Sequence, residues 1–187
     1  MSNPKVPLAY YHQPDKRLRA TQEKLFTALR QLYTAQTPYA DVTITRLCRQ
    51  AGIPRQTFYR HYQNVGQVIE YDMAVMVNDF LQQIDHTVGG TAQSAEIAVK
   101  LMLANRTTLE MMFWGDVTEQ VIQYIKRDMH RVHGYIKTNH RDDTLRLEMD
   151  ARILIAFAKT VTLHPEFTRA DFVSLFKQTI PSPPADI

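Results

Sequence analysis

The chain has 187 residues, 44% hydrophobic and 22% charged, with a net charge of +3 and a single cysteine. This composition fits one large globular unit, or two small ones sharing a core, and excludes a disordered chain and an internal disulfide. No uninterrupted apolar run approaches the roughly 18 residues of a membrane span, and the first residues carry no apolar run of the signal-peptide kind, so a cytoplasmic protein with no membrane partner is expected.

Prolines set the outline. None occurs between Pro54 and Pro165, and that stretch holds only five glycines. Helix interiors exclude proline, so the stretch reads as helical. No period-2 strand bounded by hairpin turns is found, nor any repeat. The predicted fold class is all-α, with about nine helices: an N-terminal three-helix unit over residues 1–65 and a C-terminal helical unit over 66–187.

Residues 1–13 read as an arm. The first helix is expected at about 16–35, capped by Asp15, with Leu18, Leu25, Phe26, Leu29, Leu32 and Tyr33 as its apolar stripe. Thr37-Pro38 ends it. A short helix at about 44–50 follows, capped by Thr43. Gly52 supplies a tight turn, and Pro54 suits the first position of a third helix at about 54–62. A long fourth helix reaches about 84, its apolar face carrying Val68, Ile69, Met73, Met76, Val77, Phe80, Leu81 and Ile84. Asp85 to Thr91 reads as a loop. Further helices are expected at about 93–104, 106–113, 117–138, 143–163 and 168–180, with Gly115 separating two of them and a capping box at Thr168 and Asp171.

Charge is unevenly spread. Residues 1–65 hold 10 Lys/Arg against 3 Asp/Glu, while residues 66–187 hold 12 against 16. A basic end on a mildly acidic remainder points to a polyanionic partner. The segment 43–64 explains where it would bind. Two short helices joined by a glycine turn form a helix-turn-helix. Ile44, Leu47, Cys48 and Ile53 can pack on Phe58 and Tyr62, which leaves Gln56, Tyr59, Arg60 and Gln63 facing outward, flanked by Arg55 and Thr57. That outward set contains no acid, and each member can donate a hydrogen bond to phosphate or a base edge.

Residues 16–70 resemble the tetracycline-repressor family of transcription factors. Ala51-Gly52-Ile53 is similar to the family's Ala-Gly-Val turn, and Thr57-Phe58-Tyr59-Arg60-His61-Tyr62 to its Thr-Leu/Phe-Tyr-x-His/Tyr-Phe signature. Leu25-Phe26 and Thr43-Ile44 fall at family-like offsets. The resemblance implies that the third helix enters the major groove of an operator. Arg55, Gln56 and Thr57 would contact bases, with Arg55 suited to guanine and Gln56 to adenine. Tyr59 and His61 match positions that grip phosphate, and Arg60 belongs to the same surface. Thr43 would cap a helix whose positive end meets phosphate. Lys16, Arg17 and Arg19 would touch the backbone. Val65-Gly66 departs from a Lys-acid pair common in the family. One phosphate-binding cation per protomer would then be missing, and Val65→Lys is expected to steepen the salt dependence of DNA binding.

The later helices carry the rest of the expectation. Ile153 to Ala158 is apolar around the whole helix, so one side can face a second subunit. Residues 143–163 and 168–180 from two protomers would make a four-helix homodimer interface. Met102, Met111, Met112, Phe113, Trp114, Tyr124 and Met129 can line an adaptable apolar pocket, where the resemblance implies a small-molecule effector, or simply pack as core. His130 and His133 have metal-ligand spacing without a second cluster, so no metal is expected. Asn105-Arg106-Thr107 matches a glycosylation sequon, which the cytoplasmic reading makes irrelevant. No phosphate loop, nucleophile elbow or zinc-protease motif is present, so neither a cofactor nor an enzyme is expected. The alternative is a protein-interaction module of the same fold with weakened DNA binding.

Overall fold

In the computed structural model, residues 16–85, 90–132 and 140–180 are described. Among them the chain forms nine α-helices and no strand: α1 (Lys16–Thr34), α2 (Ile44–Ala51), α3 (Arg55–His61), α4 (Gly66–Asp85), α5 (Gly90–Ala104), α6 (Arg106–Trp114), α7 (Thr118–Val132), α8 (His140–Leu163) and α9 (Arg169–Thr179). The all-α expectation holds. A single 3-10 turn at Tyr39–Asp41, not anticipated, links α1 to α2. The cap at Asp15, the arm at 1–13, most of the loop at 85–91 and the segment 133–138 fall outside the described residues.

Local chemistry explains the boundaries. Helix α2 starts where the Thr43 hydroxyl accepts the Arg46 amide at 3.1 Å. It stops at Gly52, whose φ of 65° lies in the left-handed region. The Gly52 amide bonds to Arg49 O and the Ile53 amide to Cys48 O, which satisfies the last free carbonyls of the helix. Pro54 is the N-cap of α3 rather than its first residue, with extended φ and ψ of −60° and 140°. Its fixed φ suits either place, and its carbonyl accepts the Thr57 and Phe58 amides at 2.9 and 3.2 Å. The expected capping box of α9 forms, with Thr168 and Asp171 bonding reciprocally.

Gly115 separates α6 from α7, as expected. Gly115 is right-handed, and Asp116 takes the positive φ of 51°. Gly115 is needed for proximity instead, because a Cβ there would collide with the side chain of Ile69 on α4.

Helix α4 is the central post. It packs on α1 at one end and on α5, α6 and α7 along its length. Leu25, Leu29, Leu47, Phe58 and Tyr62 are buried at the N-terminal end, and Val99, Met111, Met112, Val121 and Ala151 further on, all within one continuous core. Phe157 of α8 meets Phe172 and Phe176 of α9 edge-on, with centroids 6.3 and 5.1 Å apart. No described helix is long and apolar enough to cross a membrane.

Candidate nucleic-acid interface

The three N-terminal helices sort their residues as the pattern anticipates. Leu47, Cys48, Ile53, Phe58 and Tyr62 are buried, and Ile44 is packed against them. Burial pushes the Cys48 thiol pKa up, so the lone cysteine is an inert core residue. Arg55, Gln56, Tyr59, Arg60 and Gln63 are exposed, and Thr57 and His61 are half-buried. Helix α3 contains no acid. Arg55, Gln56, Tyr59 and Arg60 therefore come together on one exposed, cationic helix surface. Arg19 is exposed on α1, and Lys16 and Arg17 open that helix, their side chains lying outside the described residues. Thr43 is exposed, and its hydroxyl is engaged in capping α2.

What holds α3 in place is a buried polar node. Gln22 of α1 is 3% exposed. Its amide nitrogen donates to Val68 O at 2.9 Å and to Asp72 Oδ2 at 2.6 Å, both on α4. Its amide oxygen accepts the hydroxyl of Tyr62, the residue that closes α3. One side chain thus ties three helices, using two donors and one acceptor. Burial pushes the Asp72 carboxyl up to about 7, against the Gln22 hydrogen bond and the Arg30 charge, which both lower it.

A second set of contacts joins this unit to the helices beyond it. The Trp114 indole of α6 donates to Thr37 O at 3.0 Å and meets Tyr33 and Tyr39 edge-on, at 5.5 and 5.0 Å. Tyr33 donates to Glu110 at 3.1 Å. Trp114 therefore serves as a bolt between α6 and the N-terminal helices, in addition to any part in a pocket. Met102, Met111, Met112 and Tyr124 are buried, Phe113 is half-buried, and the Met129 side chain lies outside the described residues. Within this group Tyr124 donates to Glu70 of α4 at 2.6 Å, and desolvation raises the Glu70 pKa despite that bond.

The Val65-Gly66 pair, read from the sequence as lacking a phosphate-binding cation, has a packing cause that argues against fitting one at position 65. Val65 is 7% exposed. A Cβ on Gly66 would stand 2.9 Å from Val117 Cγ1 at the start of α7. The α4 terminus is pressed against the α6–α7 turn, and a lysine at position 65 must either bury its charge or pull the helix end outward. Val65→Lys is accordingly expected to cost about 1–3 kcal/mol of stability and to leave the salt slope of any DNA binding the same as in wild type. Denaturant unfolding beside a salt titration reads both.

No family model matches the chain, and no curated protein matches it. Solved structures do. The chain is similar to Lin0861 from Listeria innocua, at 24% identity over 93% of this chain and 96% of that one, with a TM-score of 0.80. It is similar to the fatty acid degradation regulator FadR from Bacillus halodurans, at 14% identity over 84% and 93%, with a TM-score of 0.53. It also resembles a transcriptional-regulator structure from Pseudomonas aeruginosa PAO1, at 15% identity over 94% and 93%, with a TM-score of 0.55. These likenesses establish a shared helical fold.

Proposed function

We propose that the protein is a DNA-binding transcriptional regulator of the tetracycline-repressor type, a homodimeric repressor released by a small effector. The observation that carries this reading is α3. It follows a left-handed glycine turn, is anchored by buried Phe58 and Tyr62, and turns Arg55, Gln56, Tyr59 and Arg60 to solvent without an acid among them. Such a helix fits the major groove, where arginine and glutamine read base edges. Two of the similar solved structures are described as regulators, which supports the same reading. On this reading the chain acts by binding, without a catalytic centre, and works in the cytoplasm beside its DNA.

The dimer is supported by a face of α8 and the turn after it. Leu145, Met149, Leu163 and Phe167 are 68, 58, 61 and 52% exposed. A run of large apolar side chains in water favours a covering partner. A second copy would bury it and set two recognition helices against two half-sites. Sedimentation at micromolar concentration should read a dimer; a monomer there refutes this part. On this reading the effector would enter among Met102, Met111, Met112 and Tyr124, whose side chains can repack around a guest and bear on α4.

The test of the whole reading is fluorescence anisotropy with DNA from upstream of the gene. Binding is expected to weaken linearly in log salt. Arg60→Ala should remove one phosphate contact per protomer and so lower the slope by about 1.8 for a dimer. Absence of binding at any salt concentration would favour the protein-interaction alternative.

A further inference from the structure

The exposed face of α3 carries one side-chain pair that is organised in advance of any ligand. Arg55 and Tyr59 lie four residues apart, so their side chains share a helix face. Arg55 Nη2 donates to the Tyr59 hydroxyl at 3.4 Å, and the guanidinium carbon stands 5.8 Å from the ring centroid. The Tyr59 ring is itself set by an edge contact with Phe58, 5.7 Å between centroids at 89°. Phe58 is fully buried, while Tyr59 is 45% exposed. A line of contact therefore runs from the core through the tyrosine ring to the guanidinium.

We infer that Tyr59 is a positioning residue for Arg55, holding the guanidinium in the orientation that reads guanine and so setting the discrimination at one base pair of each half-site. This rests on the DNA-binding reading above and changes the part Tyr59 plays in it. A phosphate contact fixes register and carries no base information. A bidentate arginine on guanine O6 and N7 does carry it. An unrestrained arginine must surrender rotamer freedom on binding, whereas one already laid against a ring has less to lose. No acid on α3 competes for the guanidinium. The hydroxyl accepts from Arg55 and keeps its own proton to donate onward.

The experiment is a double-mutant cycle on DNA. Operators selected from random sequence by the full chain define the preferred bases. Wild type, Arg55→Ala, Tyr59→Leu and the double variant are then titrated against the selected operator and against a copy in which the guanine sensitive to Arg55 is replaced by adenine. The wild type should prefer guanine by about tenfold or more, and Arg55→Ala should abolish that preference. Tyr59→Leu should cut the preference by about threefold or more, over and above any loss of affinity common to both operators. In the Arg55→Ala background it should change the preference no further. Tyr59→Phe, which keeps the ring without the hydroxyl, should fall between. Thermal melts confirm that each variant folds. The inference is overturned if Tyr59→Leu weakens both operators equally and does so without Arg55, which is the behaviour of a phosphate contact. It is equally overturned if guanine preference is the same with and without the tyrosine, or if no selected guanine responds to Arg55→Ala. Wild-type protein that selects no sequence at all would sink the DNA-binding reading itself, an outcome distinct from selective binding that ignores Tyr59.

Discussion

Gln22→Met should lower the unfolding free energy by about 2–4 kcal/mol, read as a fall in denaturant midpoint with little change in slope. Methionine has nearly the length and volume of glutamine, so the cost is not that of a cavity. It arises from stranded polar groups. The Tyr62 hydroxyl, on a residue 1% exposed, loses the Gln22 oxygen. The Asp72 carboxyl loses a donor at 2.6 Å. Each buried polar group that loses its partner costs about 1–3 kcal/mol. Tyr62→Phe deletes only one arm of the node and should cost about 1–2 kcal/mol. The two substitutions together should cost less than their sum, because removing both ends of the Tyr62–Gln22 bond leaves neither stranded. A change below about 1 kcal/mol for Gln22→Met would show that the node carries little of the stability. The consequence reaches function because Tyr62 closes the helix that presents Arg55 and Arg60.

The helix-turn-helix was legible because its signals are local. Thr43, Gly52 and Pro54 act on their own backbone or the next turn, so type and spacing were enough to place α2 and α3. Pro54 was misplaced by one position because its fixed φ satisfies an N-cap and a first helical residue equally well. Gly115 and Gly66 were harder. Their glycine identity answers to Ile69 and Val117, across a packing surface that no window along the chain contains. Asp116, beside Gly115, takes the left-handed φ of 51°, which no residue type at that position announces.

The Gln22 node was missed although a signal existed. Leu18, Gln22, Leu25, Leu29 and Leu32 recur at helical spacing, so Gln22 is a polar residue on the buried stripe. The same holds for Glu70, aligned with Met73 and Val77 on α4. A polar residue on a buried face asks for a partner. Periodicity flags the need, yet the partners Asp72 and Tyr124 lie 50 and 54 residues away. Trp114 illustrates the same limit. Its soft apolar character suggested a pocket, while its indole donor found Thr37 O, 77 residues back in the chain.

Asp72 makes stability fall as pH rises from about 4 to about 7, the reverse of the usual effect of a paired carboxylate. In the unfolded chain its carboxyl titrates near the ordinary value of about 3.9. In the folded protein burial raises it to about 7. Between these values the folded state holds a proton that the unfolded state has released, so each pH unit upward costs about 1.4 kcal/mol. The loss accumulates to about 4 kcal/mol and levels off above about pH 7. Gln22 and Arg30 on α1 favour the ionised form and are already counted in that balance. Glu70 has a raised pKa and adds in the same sense, whereas half-buried Glu148 and exposed Glu166 and Asp171, held below the usual carboxylate range, act oppositely at acid pH. The informative quantity is therefore the difference between wild type and Asp72→Asn, in which these other groups cancel. Asparagine keeps the size and the acceptor for Gln22 while removing the charge. Its unfolding free energy should run closest to wild type at about pH 4 and below, and exceed it increasingly until the gap levels off above about pH 7. Parallel curves would mean that water reaches Asp72 and keeps it ionised. A diverging pair would place the seam between α1 and α4, where Gln22 also holds Tyr62 at the end of α3, under the control of one proton.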